Sequence, residues 1–445
     1  MKSNISGFPE FLPQEQIAYE KLVRTIREHF ELYGFVPMET AAVEKTADLL
    51  SKGNDNEIYG LHRLTDENYK KDFGLRFDLT VPLWRYVSQN TGDLVFPHKR
   101  YHIAPVWRGE RPQYGRYRQF TQCDIDIVGD GELSIDHDAE VISLIMWTLD
   151  SLKIPKFHTY INNRKILTGF LSQITRPENI VPAMRLIDKM DKISSEEFEA
   201  SIKPMLNDEK DMTKVKSFFG TVEHENLSIE KTMQWLTSLS LSEEFMRGVD
   251  ELSTVLQLLK KLQIPEKYIK IQTRLARGLS YYTGTVFETA FDSSDAVGSI
   301  AGGGRYDNLS STFGSEKKYP GVGGSIGVTR LVSQLLNKGQ LDISRKSTAD
   351  LLITVQDRKF IHYYMRLANK FRVLGIKTET YLHDKPLGAQ LAYASRKGIN
   401  CVLIANEMEI LDSVAIVRNM KTREQKVIRT EFVGEETKRV IEEFI

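Results

Sequence analysis

Residues 107–126 read WRGERPQYGRYRQFTQCDID, a charged stretch marked by Pro and Gly and set between two segments that alternate like buried strands. KRYHIAPVW before it and RYRQFTQCDIDIVG within and beyond it predict two strands joined by the loop GERPQYG. Residues two apart in a strand share a face. From 116 one face reads Arg116, Arg118, Phe120, Gln122, Asp124 and Asp126, and the other reads Tyr117, Gln119, Thr121, Cys123, Ile125 and Ile127. The second face turns apolar where a core is expected. The first runs from cations to anions, which suits a ligand that is negative at one end and carries amine or imidazole donors at the other. Guanidinium forks match phosphate and carboxylate oxygens in pairs. Arg108, at the end of the first strand, and Arg116 flank the same loop. Taken alone, the stretch fits a salt-bridged hairpin with charged edges equally well.

Four further segments favour a site. LRFDLTVP sets Arg76, Asp78 and Thr80 on one expected strand face, against Leu75, Phe77 and Leu79. ARGLSYYTGTVFE places Arg277 beside Gly278 and brings Tyr281 and Tyr282 into an expected strand. AGGGRYDNL supplies Gly302 to Gly304, then Arg305 and Tyr306. GVGGSIGVTRL is a Gly-rich strand ending in Arg330 on a helix. A glycine-rich strand lets a ligand approach the backbone closely. Tyrosines at strand spacing are ordinary core; arginines repeatedly set beside such glycines are harder to explain by packing.

The chain has 445 residues, 41% of them hydrophobic, which is enough for two or three domains. Its formal net charge is +0, so any polyanion site must be local. The two cysteines, Cys123 and Cys401, are far apart in sequence and outside any CxxC spacing, which suits a reducing compartment and argues against structural zinc. No signal-peptide core and no run of membrane-spanning length is present, so a soluble cytoplasmic protein without membrane contact is expected. Helical spacing covers 14–33, opened by Pro13 and closed by Gly34; FVPMET follows as a short extended piece. Pro82 marks the first turn of another helix. Residues 167–262 are charged, helix-patterned and poor in strand signals, an expected insertion. Strand signals return from 269. The expected division is a first domain over 1–338, a linker over 339–348 and a βαβαβ-type α/β domain over 349–445. From 348 onward there are 16 Lys and Arg against 13 Asp and Glu, a bias too mild to diagnose nucleic-acid contact.

Taken together, these stretches resemble the class II aminoacyl-tRNA synthetases, and among them the histidyl-tRNA synthetases. WRGERPQYGRYRQFTQCDID resembles motif 2, GVGGSIGVTRL motif 3, and GFVPMET the proline-terminated end of motif 1. LRFDLTVP, RGLSYYTG and AGGGRYDNL resemble the histidine-binding strand and the two histidine-specific signatures. The resemblance spans nearly the whole chain. It implies an α+β fold: an antiparallel six-stranded catalytic sheet flanked by helices, a helical insertion, and a C-terminal anticodon-binding domain. It also implies a homodimer formed through motif 1, with L-histidine, ATP and tRNA(His) as partners and Mg²⁺ bridging the phosphates. By position, Arg108 corresponds to the arginine on the ATP α-phosphate and substrate carboxylate, Glu110 to the loop acid near adenine, Arg116 to an ATP and amino-acid contact, and Arg330 to the γ-phosphate arginine. Asp78 and Thr80 would take the α-amino group. Gln122, Asp126 and Tyr282 would read the substrate, with Asp126 and Tyr282 nearest the imidazole. Tyr281 belongs to the same signature, and Tyr306 lines the pocket. Arg277 matches the family-specific arginine beside the α-phosphate and, with Arg108, is the expected catalytic residue. Ser280 stands where the family commonly has Asp. The alternative is a synthetase-like regulatory subunit of ATP phosphoribosyltransferase, which does no aminoacylation, usually lacks the C-terminal domain and loses catalytic residues.

Overall fold

The computed structural model describes residues 5–50, 57–65, 72–190, 193–219, 228–276, 281–293, 297–307, 317–431 and 433–444. Two units are distinguished: one comprises Leu22–Gln340 with the N-terminal residues through Pro9, the other Leu341–Ile445 with Glu10–Lys21.

In the first unit, β1 (Val36–Pro37) follows the Pro13–Leu32 helix, whose end is marked by Gly34 at φ +76°. Three short strands, β2 (Val43–Lys45), β3 (Gly60–Leu61) and β4 (Phe73–Leu75), form a small antiparallel sheet in the order β2–β4–β3. The main sheet is built from β5 (His98–Trp107), β6 (Gln119–Val128), β7 (Phe157–Asn163), β8 (Ile269–Ile271), β9 (Thr285–Phe291), β10 (Ala301–Tyr306) and β11 (Gly321–Ile326), together with β1. Its order is β1–β5–β6–β11–β10–β9–β7–β8. The six central strands are antiparallel throughout, as expected, and the edge strands β1 and β8 pair parallel to β5 and β7.

Alternation on β6 separates the two faces of this sheet. Cys123, Ile125 and Ile127 are fully buried on the face covered by helices. A Cβ on Gly324, opposite Ile125, would meet Ile145 and Val141 of the Asp136–Ser151 helix, so glycine there lets the helix lie close to the sheet. The same face holds Arg305, which donates to Asp138 through Nε at 3.0 Å and Nη2 at 2.7 Å and to the carbonyls of Leu133 and Ser134. That buried pair fixes the start of the helix against the end of β10. Over 164–261 the described elements are all helical. Two of those helices, Arg164–Leu171 and Glu243–Lys261, pack so tightly that a Cβ on Gly169 would fall 2.4 Å from the Phe245 nitrogen.

The second unit contains β12 (Leu351–Ile353), β13 (Thr378–Thr380), β14 (Cys401–Ile404), β15 (Val414–Asn419) and β16 (Gln425–Arg429). The order is β13–β12–β14–β15–β16, parallel over the first three and antiparallel beyond. Both faces are apolar: Leu351, Ile353, Tyr364 and Phe371 pack on one, and Leu352, Val402 and Ala394 on the other. The Glu407–Leu411 helix starts with a capping box, in which the Asn406 side chain accepts from the Met408 and Glu409 nitrogens while Glu409 accepts from the Asn406 nitrogen. Asn406→Ala is expected to cost about 1 kcal/mol, read as faster hydrogen exchange over this helix in the full chain.

Candidate active site

The site lies on the other face of the main sheet. The antiparallel register of β5 and β6 sets Arg100 opposite Asp126, His102 opposite Asp124, and Ala104 opposite Gln122. On β11, Gly323 and Ser325 face Asp126 and Asp124, and on β10, Gly304 and Gly302 continue the row. Glycine at 323 is required: a Cβ there would sit 2.0 Å from Asp126 Oδ1. Beside these glycines the side chains on this face that reach the cavities come mainly from β6.

A cavity of about 460 Å³ opens over this floor, lined by Asp78, Thr80, Gln122, Asp124, Asp126 and the three tyrosines Tyr281, Tyr282 and Tyr306. That is within the range of small-ligand pockets. A second cavity, about 120 Å³, is lined by Arg330, Gly115, Tyr117 and Ser299. Arg108, Glu110, Arg116, Gln122, Gly302 and Ser325 border both, so the two adjoin. Arg108 is fixed by stacking: its guanidinium carbon lies 4.4 Å from the Phe77 ring centre and 5.0 Å from that of Phe120, while Nε donates to the Phe77 carbonyl at 3.3 Å. Arg330 donates to the Gly115 carbonyl at 2.6 Å and the Ser299 carbonyl at 2.7 Å, tying the motif 2 loop to the segment before β10. Arg116 pairs with Glu110 at 2.9 Å.

The carboxylates differ from one another. Asp126 is held on both oxygens: Arg100 Nη2 reaches Oδ2 at 2.5 Å and the Tyr306 hydroxyl donates to Oδ1. Asp124 has weaker company. Gln122 Nε2 lies 3.4 Å from it, the Ser325 hydroxyl bonds it, and burial pushes its carboxyl up to about 7, with Arg100 opposing and Asp126 adding to the rise. Burial, with Arg100 and Arg76 nearby, holds the His102 imidazole down to about 3, so it is neutral. Gln122 Nε2 also donates to Ser325 at 2.9 Å, while its buried Oε1 has no hydrogen-bond partner among the described residues. An acceptor left so in a cavity wall suits a ligand N–H.

Several expectations need correction. LRFDLTVP is not a strand across Asp78 and Thr80: β4 ends at Leu75, and Asp78 Oδ1 accepts from the Thr80 and Val81 nitrogens at 3.1 and 2.9 Å, capping the Thr80–Gln89 helix. Asp78 and Thr80 still border the larger cavity. β6 starts at Gln119, so Arg116 and Arg118 lie outside it. Gln113 and Arg116 close a tight turn around Gly115 at φ +72°, and Arg118 Nε donates to the Glu110 carbonyl at 3.1 Å. Tyr281 and Tyr282 precede β9. Their hydroxyls meet at 3.3 Å, and the Tyr306 hydroxyl donates to Asp126. Arg277 and Ser280 lie outside the described residues. Arg100 and Ser325 were not anticipated; what signals them is the cross-strand register, which no single segment carries.

A family model described as histidyl-tRNA synthetase matches residues 7–331. The chain belongs to the histidyl-tRNA synthetase family. An anticodon-binding domain model matches residues 350–439. The chain is similar to the histidine–tRNA ligase of Clostridium tetani, 39% identical over 430 residues and 96% of each chain, and to that of Wolinella succinogenes, 38% identical over 95% of this chain and 94% of the other. The crystal structure of histidyl-tRNA synthetase from Nostoc sp. PCC 7120 superposes with a TM-score of 0.87, at 36% identity over 99% of each chain. A Bacillus halodurans structure titled ATP phosphoribosyltransferase regulatory subunit/histidyl-tRNA synthetase shares the fold at a TM-score of 0.72 and 19% identity, covering 88% of this chain. Among the described residues no helix is long and apolar enough to cross a membrane.

Proposed function

We propose that this chain is a histidine–tRNA ligase that activates L-histidine with ATP and passes it to the 3′ end of tRNA(His). One observation carries the reading: two adjoining cavities bordered by Arg108 run from Arg330 at one end to buried acceptors and phenols at the other. That order matches a triphosphate followed by an amino acid with N–H donors. The match of an anticodon-binding domain over 350–439 favours this ligase over the regulatory-subunit alternative.

In the first step the histidine carboxylate oxygen bonds to the α-phosphorus and the bond to the β-phosphate oxygen breaks, releasing pyrophosphate. In the second a terminal ribose hydroxyl of the tRNA attacks the acyl carbon and AMP leaves. Neither step calls for a protein nucleophile, so catalysis rests on alignment and on charge stabilisation at the phosphoryl oxygens. Arg108 takes that role at the α-phosphate and substrate carboxylate, with Arg277 as its partner; Arg330 and Arg116 hold the remaining phosphates, and Glu110 lies toward adenine. Asp78 and Thr80 take the α-amino group; Gln122 and Asp126, walled by Tyr281, Tyr282 and Tyr306, take the imidazole. The residues present fit a Mg²⁺ ion carried by the phosphates. Glu57 and Glu110 both line the larger cavity and are the carboxylates that could contact such an ion, with Glu110 already paired to Arg116. When bound, it would neutralise charge on the leaving pyrophosphate. A cytoplasmic homodimer belongs to the same reading, supported by exposed apolar side chains at Val36, Val43 and Phe73 beside motif 1. Charging of purified tRNA(His) with labelled histidine tests the function: ATP-dependent acylation supports it, and none would refute it.

A further inference from the structure

Arg100 has no exposed surface and borders neither cavity, yet it touches two parts of the histidine end of the site. One guanidinium nitrogen reaches Asp126 Oδ2 at 2.5 Å and the Leu79 carbonyl at 3.1 Å. Leu79 directly follows the helix-capping Asp78, so Arg100 ties that turn to the C-terminal part of β6. Nε and Nη1 find no hydrogen-bond partner among the described residues. A buried guanidinium without a full set of acceptors is costly unless a charge compensates it. Here two buried carboxylates, Asp124 and Asp126, adjoin one buried cation. The charged and titratable groups facing them are Arg100 and His102 from β5, Tyr306 from β10, Asp78 from the capping turn, and Tyr281 and Tyr282 from the segment before β9. Arg100 contacts Asp126 directly, whereas Asp124 lies opposite the neutral His102.

We propose that Arg100 is a positioning residue for histidine recognition, which selects Asp126 as the charged member of the Asp124/Asp126 pair and turns it to accept from the substrate imidazole. The inference rests on the reading that histidine occupies the larger cavity. With Arg100 in place, one oxygen of Asp126 is drawn to the guanidinium and the other to Tyr306, so the carboxylate plane is fixed before substrate enters. Without it, two acids share a buried site with no counter-charge, so the proton that Asp124 holds in the wild type is kept to higher pH and is no longer confined to Asp124. Asp126 then offers a poorer acceptor, and histidine binding should weaken on the acid side. ATP, gripped by other residues, should be little affected.

The test is histidine-dependent pyrophosphate exchange, with KM for histidine and for ATP measured across pH in the wild type, Arg100→Met, Arg100→Lys, Asp124→Asn and the Arg100→Met/Asp124→Asn double variant. Arg100→Met is expected to raise the histidine KM by about 10- to 100-fold near neutrality, moving its acid limb to higher pH and leaving the ATP KM near wild type. Arg100→Lys should restore part of the loss. The double variant should recover part of it too, because the like charge is gone. Asp124→Asn alone replaces a carboxyl that is already protonated in the acid range by a neutral amide, so the acid limb should stay near wild type; a limb moved to higher pH in this variant would overturn the proposal even if Arg100→Met does not fold. An unmoved limb in Arg100→Met, equal losses for ATP and histidine at every pH, or a histidine KM raised at every pH by Asp124→Asn would overturn it. Exchange in the wild type with no shift in the variants removes this inference alone; no exchange in the wild type removes the functional reading and this inference with it.

Discussion

Arg108→Ala is expected to lower histidine-dependent pyrophosphate exchange by about 10²- to 10³-fold, the loss typical of removing one donor aimed at developing charge. The expectation follows from how Arg108 is held. Its guanidinium lies between the Phe77 and Phe120 rings, and Nε is spent on the Phe77 carbonyl. The fork is therefore oriented before any ligand arrives, and little ordering remains to be done during the reaction. Arg108→Lys should recover only part of the rate, since an ammonium keeps the charge but neither stacks flat on the two rings nor bonds two oxygens at once. The fall should appear mainly in kcat if the contact strengthens in the transition state, and in the ATP KM if it binds the ground state equally. Exchange near the wild-type rate in Arg108→Ala would take this residue out of the mechanism.

The second large effect concerns stability. Burial pushes the Asp124 carboxyl from an ordinary 3.8 to about 7 in the fold. The folded state thus holds this proton more tightly than the unfolded chain. Its contribution to stability is fully present below about pH 4 and is lost as pH rises through about 7. A shift of that size corresponds to a difference on the order of 4 kcal/mol. Asp124→Asn lacks the titration, so its stability relative to wild type should climb by a few kcal/mol as pH is raised from about 4 to about 8. Urea unfolding of both proteins at several pH values reads this directly. A difference between them that stays constant with pH would contradict it.

Much of the fold was legible because its signals are local. The motif 2 hairpin shows itself by alternation on both strands and the C-terminal α/β unit by its strand and helix periods, whereas the six central antiparallel strands were implied by the family resemblance. Where local alternation misled, a cap or a turn had taken over. LRFDLTVP alternates well enough to be read as strand, but Asp78 bonds backbone nitrogens two and three residues on and starts a helix instead. A carboxylate two residues before Thr80-Val81-Pro82 was the available sign of a helix start. Arg116 and Arg118 continue the alternation of β6 in sequence, yet the turn at Gly115 takes Arg116 out of it, and Arg118, whose nitrogen donates to the Gly7 carbonyl and whose carbonyl accepts from Arg108, falls one residue before its start.

The site was legible in its residue types more than in its partnerships. Ten expected residues border the larger cavity, from Asp78 and Thr80 through Gln122 and Asp126 to Tyr306, and Arg330 borders the adjoining one. Pairing was a different matter. Asp126 and Tyr282 were expected nearest the imidazole, but that the Tyr306 hydroxyl, 180 residues away in sequence, donates to Asp126 could not be read from either segment. Arg100 sits in KRYHIAPVW, where a cation reads as strand-edge charge. Its bond to Asp126 depends on the β5–β6 register, which the loop between the strands sets and no single-segment pattern reveals.

The most direct measurement is pyrophosphate exchange with the purified chain, ATP and each of the standard amino acids in turn. The account predicts exchange that depends on histidine and is nearly abolished for side chains that leave Gln122 and Asp126 without an N–H partner. Exchange driven equally well by a residue with no ring nitrogen, or no exchange with histidine at all, would contradict it.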